Sequence, residues 1–309
     1  MSAPTLRSPT PAVSATAAPA EHLGAPIRGP RALTDDWSRF WHLTYNIARN
    51  EFKLKFFGSA LGYLWQVMKP LLLFAVLYVF FVVIGHVGKG GHPGEADYGV
   101  QLLGSIVLFT CFGEATGAAV RSVVERENLV RKIQFPRLAI PISVVLLALF
   151  NLALNLVVVL IFAVAGGVRP MLTWLELPLI ILMLTVLTTG VAMLLSALFV
   201  RFRDISPIWE VVSQILFYSS PVIIPAEAVR EKLAHGSLNH FLYHLYTLNP
   251  LVAIFQQFRH AMINKSTLSA GQIMGSWAAL LEPMALVTAI VVIGFWVFNR
   301  SAPHIAEDL

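Results

Sequence analysis

Long apolar runs separated by short charged stretches dominate the chain. A bilayer core about 30 Å thick needs roughly 20 mostly apolar residues per helix. Six windows meet that length: Gln66–His86, Tyr98–Val120, Ala139–Ala165, Met171–Val200, Ile205–Ile224 and Leu280–Phe298. Pro70 falls in the first turn of the first window, where a missing N–H costs little. Pro178 predicts a kink in the fourth window, and Pro207 and Pro221 bound the fifth. Glu114 tests the second window, because an ionised acid at the bilayer centre costs about 2.5–3.5 kcal/mol while each Leu, Ile, Phe or Val returns about 0.3–0.6. Nine such residues in that window return roughly 3–5 kcal/mol, so the span survives narrowly.

Three segments follow a different pattern. From residue 36 to 57, Trp37, Phe40, Trp41, Tyr45, Ala48, Phe52 and Phe56 recur at steps of three or four, with Arg39, His42, Asn46, Arg49, Asn50 and Lys53 opposite. Aromatics on one side and cations on the other predict a helix in the headgroup plane, capped by Thr34 or Asp35; the alternative is a solvated helix packed on another element. Residues 121–137, RSVVERENLVRKIQFPR, are too charged to enter lipid and too few to form a domain, so they read as a charged helix or an ordinary positive loop. Beyond Pro221, the apolar piece Leu251–Phe255 is broken by Gln256, Gln257 and Arg259, which predicts a re-entrant or interfacial segment.

Composition narrows the function. The chain has 309 residues, 57% hydrophobic and 13% charged, with mean hydropathy +0.71. Soluble domains carry about 25% charged residues, so an ordinary soluble enzyme is excluded. A net charge of +5 in so apolar a chain is no nucleic-acid footprint. Cys111 is the one cysteine, which removes disulfides and cysteine-based zinc sites. With the N-terminus inside, sixteen Lys and Arg fall on the inner side and six on the outer, so both termini are expected in the cytoplasm. Residues 1–34 hold eight Ala and six Pro without an apolar run of signal-peptide type; they are expected to be a disordered tail, the alternative being a transit peptide unusually poor in Arg.

The chemistry of sites is sparse. No GxxxxGK[ST] phosphate-binding loop occurs, and no HExxH, GxSxG or kinase pattern. His240 and His244 stand four apart with no third ligand fixed by spacing, so no metal site and no catalytic residue is expected. Glu114 is the one acid well inside a span, which disfavours a proton-driven carrier. It either marks a polar lining or pairs with an amide such as Asn151 or Asn155. Tyr78, Phe81, Phe109 and Phe112 fall near helical repeats, and their rings either meet sugar C–H faces along a channel or pack against helices and lipid. Gly58/Gly62 and Gly113/Gly117 permit close helix approach.

The order of parts resembles a known family. SALGYLW at 59–65, ENLVRKIQFPR at 127–137, RFRDISPI at 201–208, SSPVI at 219–223 and NPL at 249–251, set among the spans, are similar to the ABC-2 family. The closest likeness within it is to permease subunits that export polysaccharides such as O-antigen, teichoic acid or capsule. The resemblance runs over about residues 35–300, leaving 301–309 as a cytoplasmic tail, and implies an all-α polytopic membrane protein of six transmembrane helices. With these go an N-terminal interfacial helix, a cytoplasmic coupling helix and outer re-entrant gate helices at 225–265. It implies a homodimer in the bacterial plasma membrane, paired with two ABC ATPase subunits that bind ATP and Mg, while this chain holds no cofactor. Glu125, Arg126, Glu127, Asn128, Arg131 and Lys132 would couple to the ATPase, and Leu61, Gly62, Tyr63 and Trp65 would form the entrance for a lipid-linked glycan. Spans one, two and five would line the path. Two other readings are an ABC-2 permease for small lipids or drugs, and a polytopic enzyme acting on lipid-linked sugars, which lacks an acidic cluster or nucleophile set.

Overall fold

A computed structural model describes residues 37–56, 62–85, 98–127, 136–233, 237–263 and 267–302. The expected tail 1–34 and residues 303–309 lie outside the described residues, as do Leu61, Asn128, Arg131 and Lys132.

Among the described residues there is no strand, and the helices are, in chain order, α1 Trp37–Phe56, α2 Gly62–Tyr78, α3 Tyr98–Glu125, α4 Ala139–Ala165, α5 Leu177–Arg201, α6 Ile205–Ser219, α7 Ala226–Leu233, α8 Ser237–Leu248, α9 Pro250–Ile263, the single turn α10 Ala270–Ile273, and α11 Leu281–Ser301. A π-helical stretch, Val79–Ile84, extends α2, and 3₁₀ turns at Leu172–Glu176 and Ala278–Leu280 lead into α5 and α11. Five of these stretches are long and apolar enough to cross a bilayer: Leu64–Ile84, Tyr98–Glu125, Ala139–Ala165, Leu172–Arg201 and Ala278–Ser301. The protein is a multi-pass membrane protein.

The prolines account for most differences from the expected boundaries. α2 begins at Gly62, so Pro70 lies inside it rather than in its first turn, and the backbone bond to the Gln66 carbonyl is lost. Pro178 occupies the second position of α5, where the start of a helix tolerates it, and so introduces no kink in mid-span. The fifth window yields a helix of 15 residues, about 22 Å at 1.5 Å per residue and short of the hydrocarbon core. It stops because the residue before a proline avoids the helical region: Ser220, preceding Pro221, is extended at φ −104°, ψ 158°. In NPL, Asn249 Oδ1 accepts from the Leu251 N–H at 3.0 Å while Pro250 takes the first helical position, which starts α9.

The helix α3 is the axis of the fold: 67% of its apolar window is buried, against 11% for the first span and 17% for the last. Its core face packs against α4, α5 and α9. Gly104 lies under the Phe258 ring, where a Cβ would stand 2.3 Å from it. The α5–α11 pair meets backbone to backbone. A Cβ on Gly294 would lie 2.4 Å from the Gly190 carbonyl oxygen, and one on Gly190 2.9 Å from the Val291 Cα. Small residues permit such backbone contact between helices in lipid.

At the end of the bundle where α3 starts, a polar knot ties the short helices down. Arg259 of α9 is 1% exposed. Its Nε donates to Gln101 Oε1 of α3 at 2.9 Å, its Nη2 to the same oxygen, and its Nη1 to the Pro221 carbonyl at 3.1 Å. Tyr98 Oη of α3 donates to the Ile223 carbonyl at 2.7 Å, and Gln256 Nε2 of α9 donates to Glu227 Oε1 of α7 at 2.7 Å. In the sequence Arg259 stands as a charge that breaks an apolar piece; in the structure it is among the most deeply buried residues, satisfied by neutral acceptors from two other segments.

Gly294→Val must separate α5 from α11 and is expected to cost about 1–3 kcal/mol, seen as a lower midpoint of thermal unfolding in detergent. Gln101→Leu leaves the Arg259 cation short of its main acceptor. It is expected to reduce the yield of monodisperse protein more than the double variant Gln101→Leu/Arg259→Met, because removing one partner strands a buried charge while removing both does not.

Candidate functional site

The residues singled out by sequence divide between the two ends and the middle of the bundle. In the middle, Glu114 is half-buried and accepts from Gln66 Nε2 of α2 at 3.3 and 3.4 Å and from Asn151 Nδ2 of α4 at 3.3 Å. Both donors are neutral and their distances exceed the usual 2.9–3.0 Å for N–H···O bonds. Asn155 does not reach the acid; its Nδ2 donates to the Asn151 carbonyl at 2.9 Å. Of the two options left open for Glu114, pairing with Asn151 is realised, and Gln66 is a partner that sequence spacing did not suggest.

Half-buried Glu114 adjoins an exposed strip of α3. Gly117, Ala118 and Arg121 follow it toward the opposite end, and a Cβ on Gly117 would meet nothing within 4 Å. The neighbouring α6 is pinned along this strip: Arg121 Nη2 donates to Ser206 Oγ at 2.9 Å and Trp209 Nε1 to Thr116 Oγ1 at 3.1 Å. Glu210, Gln214 and Tyr218, spaced four apart on α6, are exposed, Tyr218 by 74%. An exposed acid and amide on a helix within the bundle's apolar length are unfavourable against lipid, and such groups face water or protein. Sequence reasoning missed Glu210 and Gln214; their step of four on the short helix, falling with Tyr218, was the available signal.

The expected channel aromatics are placed unequally. Phe109 and Phe112 are buried at 8% and 2%. The Phe109 ring meets Phe217 at 5.0 Å and Phe255 at 6.4 Å, and that of Phe112 meets Trp209 at 6.2 Å. Both rings are therefore engaged in holding α6 and α9 on α3 within one chain. Tyr78 is half-buried beside Phe74 at 5.4 Å, and Phe81, half-buried, lies against Phe80 at 5.3 Å in the π-helical stretch. Of the entrance residues, Gly62 opens α2, Tyr63 lies in its first turn, and Trp65 is 56% exposed.

At the other end, the charged segment is not separated from the second span, since α3 runs on to Glu125. Glu125 is exposed and Glu127 half-buried. Arg126 Nη2 pairs with Glu51, so it is held by α1. α1 divides its apolar stripe in two. Phe40, Thr44 and Ala48 are buried against the bundle, whereas Trp37, Trp41 and Tyr45 are exposed at 60%, 43% and 48%. Tyr45 and Phe52 reach the Phe150 ring of α4 at 6.1 and 5.7 Å.

α8 carries the two histidines. His244 Nε2 lies 3.4 Å from Glu282 Oε2, both exposed, and among the described residues no three metal-ligating side chains gather. Tyr243 Oη donates to the Ile273 carbonyl. Burial pushes the Tyr243 and Tyr246 hydroxyls above the ordinary tyrosine range.

Residues 42–263 match the family described as ABC-2 type transporter. The chain is similar to the O-antigen export system permease protein RfbA of Klebsiella pneumoniae, 25% identical over 264 residues that cover 85% of this chain and 93% of the relative. It is 24% identical to the RfbA protein of Myxococcus xanthus over 273 residues, 86% and 95% of the two chains. The polysialic acid transport protein KpsM of Escherichia coli is 22% identical over 214 residues, 69% of this chain and 78% of that one. With the family model covering well over half of its length, the chain belongs to the ABC-2 type transporters.

Proposed function

We propose that the protein is the membrane-spanning permease subunit of an ATP-driven exporter that moves a lipid-linked polysaccharide across the bacterial plasma membrane, both termini being cytoplasmic. The observation that carries this reading is the strip of half-buried Glu114 and exposed Gly117 and Ala118 on α3, beside the exposed Glu210 and Gln214 of α6. Such a strip is costly against lipid and useful against a hydrated chain. Sugar hydroxyls would exchange hydrogen bonds with acids and amides, and the glycines leave width for a polymer. A single copy offers half of such a path. A second copy facing the strip would complete it, with the entrance at Gly62, Tyr63 and Trp65.

The chain has no phosphate-binding loop of the GxxxxGK[ST] type, so ATP and Mg would be bound by two separate ATPase subunits. Those subunits would press on Glu125–Glu127 and the residues that follow. The ion pair between Arg126 and Glu51 would pass that displacement to α1, and α3 would carry it to the strip. The names of the O-antigen and polysialic acid relatives favour a glycan over small lipids or drugs.

The test is co-reconstitution with a partner ABC ATPase and a lipid-linked glycan. Gly117→Trp is expected to abolish most glycan export while ATP hydrolysis continues, because the ring would occupy the open space at that position. Full export by this variant, or turnover stimulated solely by small amphiphiles, overturns the reading. Glu125→Lys/Glu127→Lys is expected to leave the chain inserted and folded while ATP hydrolysis no longer drives export, measured as glycan moved per ATP consumed.

A further inference from the structure

A cavity of about 360 Å³ opens between the start of α5, the middle of α9, α10 and the start of α11, within the roughly 300–1,000 Å³ range of small-molecule sites. None of its lining residues belongs to α2, α3 or α6, so it is separate from the strip described above.

Its position in the bilayer follows from the helices that form it. Glu176 closes the 3₁₀ turn that opens the Leu172–Arg201 stretch and immediately precedes α5, and Trp277 immediately precedes the 3₁₀ turn into α11, so both lie near the level at which two spans begin. Met183 lies seven residues further along, about 10 Å deeper at 1.5 Å per residue. The rim is therefore at headgroup level and the floor at hydrocarbon depth. Trp277, 66% exposed, sits where indoles gather at membrane interfaces. Leu179 and Leu281, exposed at 57% and 70%, leave the lateral side facing lipid.

The chemistry of the lining is lopsided. The deep wall is Leu179, Ile180, Met183, Ile254 and Met284, and Glu176 is the single charged residue of the whole lining. Gln257 fixes that carboxylate without neutralising it: its Nε2 donates to Glu176 Oε2 at 2.7 Å and its Oε1 accepts from the Ala270 N–H at 3.1 Å. Among the described residues no cation lies within ion-pair distance of Glu176. The start of α5 favours a negative charge there.

We propose that this cavity holds a glycerophospholipid with an ammonium headgroup, its ammonium against Glu176 and one acyl chain in the apolar slot between α5, α9 and α11. A purely water-soluble cation would leave the slot empty, and a lipid with an anionic head would place like charge beside the carboxylate. The inference requires only that the chain spans the bilayer and is independent of what the protein transports.

The test uses the full chain, purified in detergent, stripped of lipid and incubated with phosphatidylethanolamine or phosphatidylglycerol of identical acyl chains, retained lipid being counted by native mass spectrometry. The ratio of ethanolamine to glycerol lipid retained is expected to fall about threefold in Glu176→Gln, the size of a partly solvated ion pair. Met183→Trp, which fills the slot and leaves the carboxylate, is expected to remove retention of the ethanolamine lipid. A headgroup ratio unchanged by Glu176→Gln, or retention unchanged by Met183→Trp, overturns the assignment.

Discussion

Hydrocarbon supplies no hydrogen bonds, so each polar group carried into the bilayer must find its partner within the protein or keep access to water. The molecule meets that constraint in two ways. Arg259 is sealed completely and given the oxygens of Gln101 and Pro221, which ties α9 to α3 and to the end of α6. Glu114 is left half-buried with long bonds from two amides, so part of its solvation must come from beyond the chain. The first arrangement immobilises one end of the bundle. The second keeps an ionisable surface open in its middle.

The same constraint explains how much could be read in advance. Span existence follows from apolar length alone, and α4 occupies residues 139–165 as the window stated. Boundaries depended on prolines whose effect is set by position: Pro178 opens a helix, Pro70 interrupts one and Pro221 ends one. The resemblance carried by NPL and SSPVI acquires a physical basis in the Asn249 cap and the Pro221 stop. The role of Arg259 was not legible, because its acceptor Gln101 is 158 residues away in the chain and no local pattern links them. For Phe109 and Phe112 helical spacing finds a face and leaves open what the face touches, and within one chain their rings pack on Phe217, Phe255 and Trp209.

The charged end behaves as one body. Phe40 of α1 packs with Val123 of α3, Leu138 and Ile140 at the start of α4, and Phe298 near the end of α11. Arg137, 2% exposed, donates to the Ala302 carbonyl, and Arg126 reaches Glu51. A push on the segment between α3 and α4 would therefore be shared by α1 and by the end of the last span rather than dissipated in a loose connection.

At the Gly190–Gly294 crossing backbone lies on backbone, with the Val291 side chain wedged beside it, so nothing between α5 and α11 can act as a bearing. Sliding would force carbonyl against backbone within a fraction of an ångström, so the two helices form a stator. The moving parts of a working cycle must then be the sparsely buried α2, with its proline and π-helical winding, and the short α6, held to α3 by a few hydrogen bonds and rings.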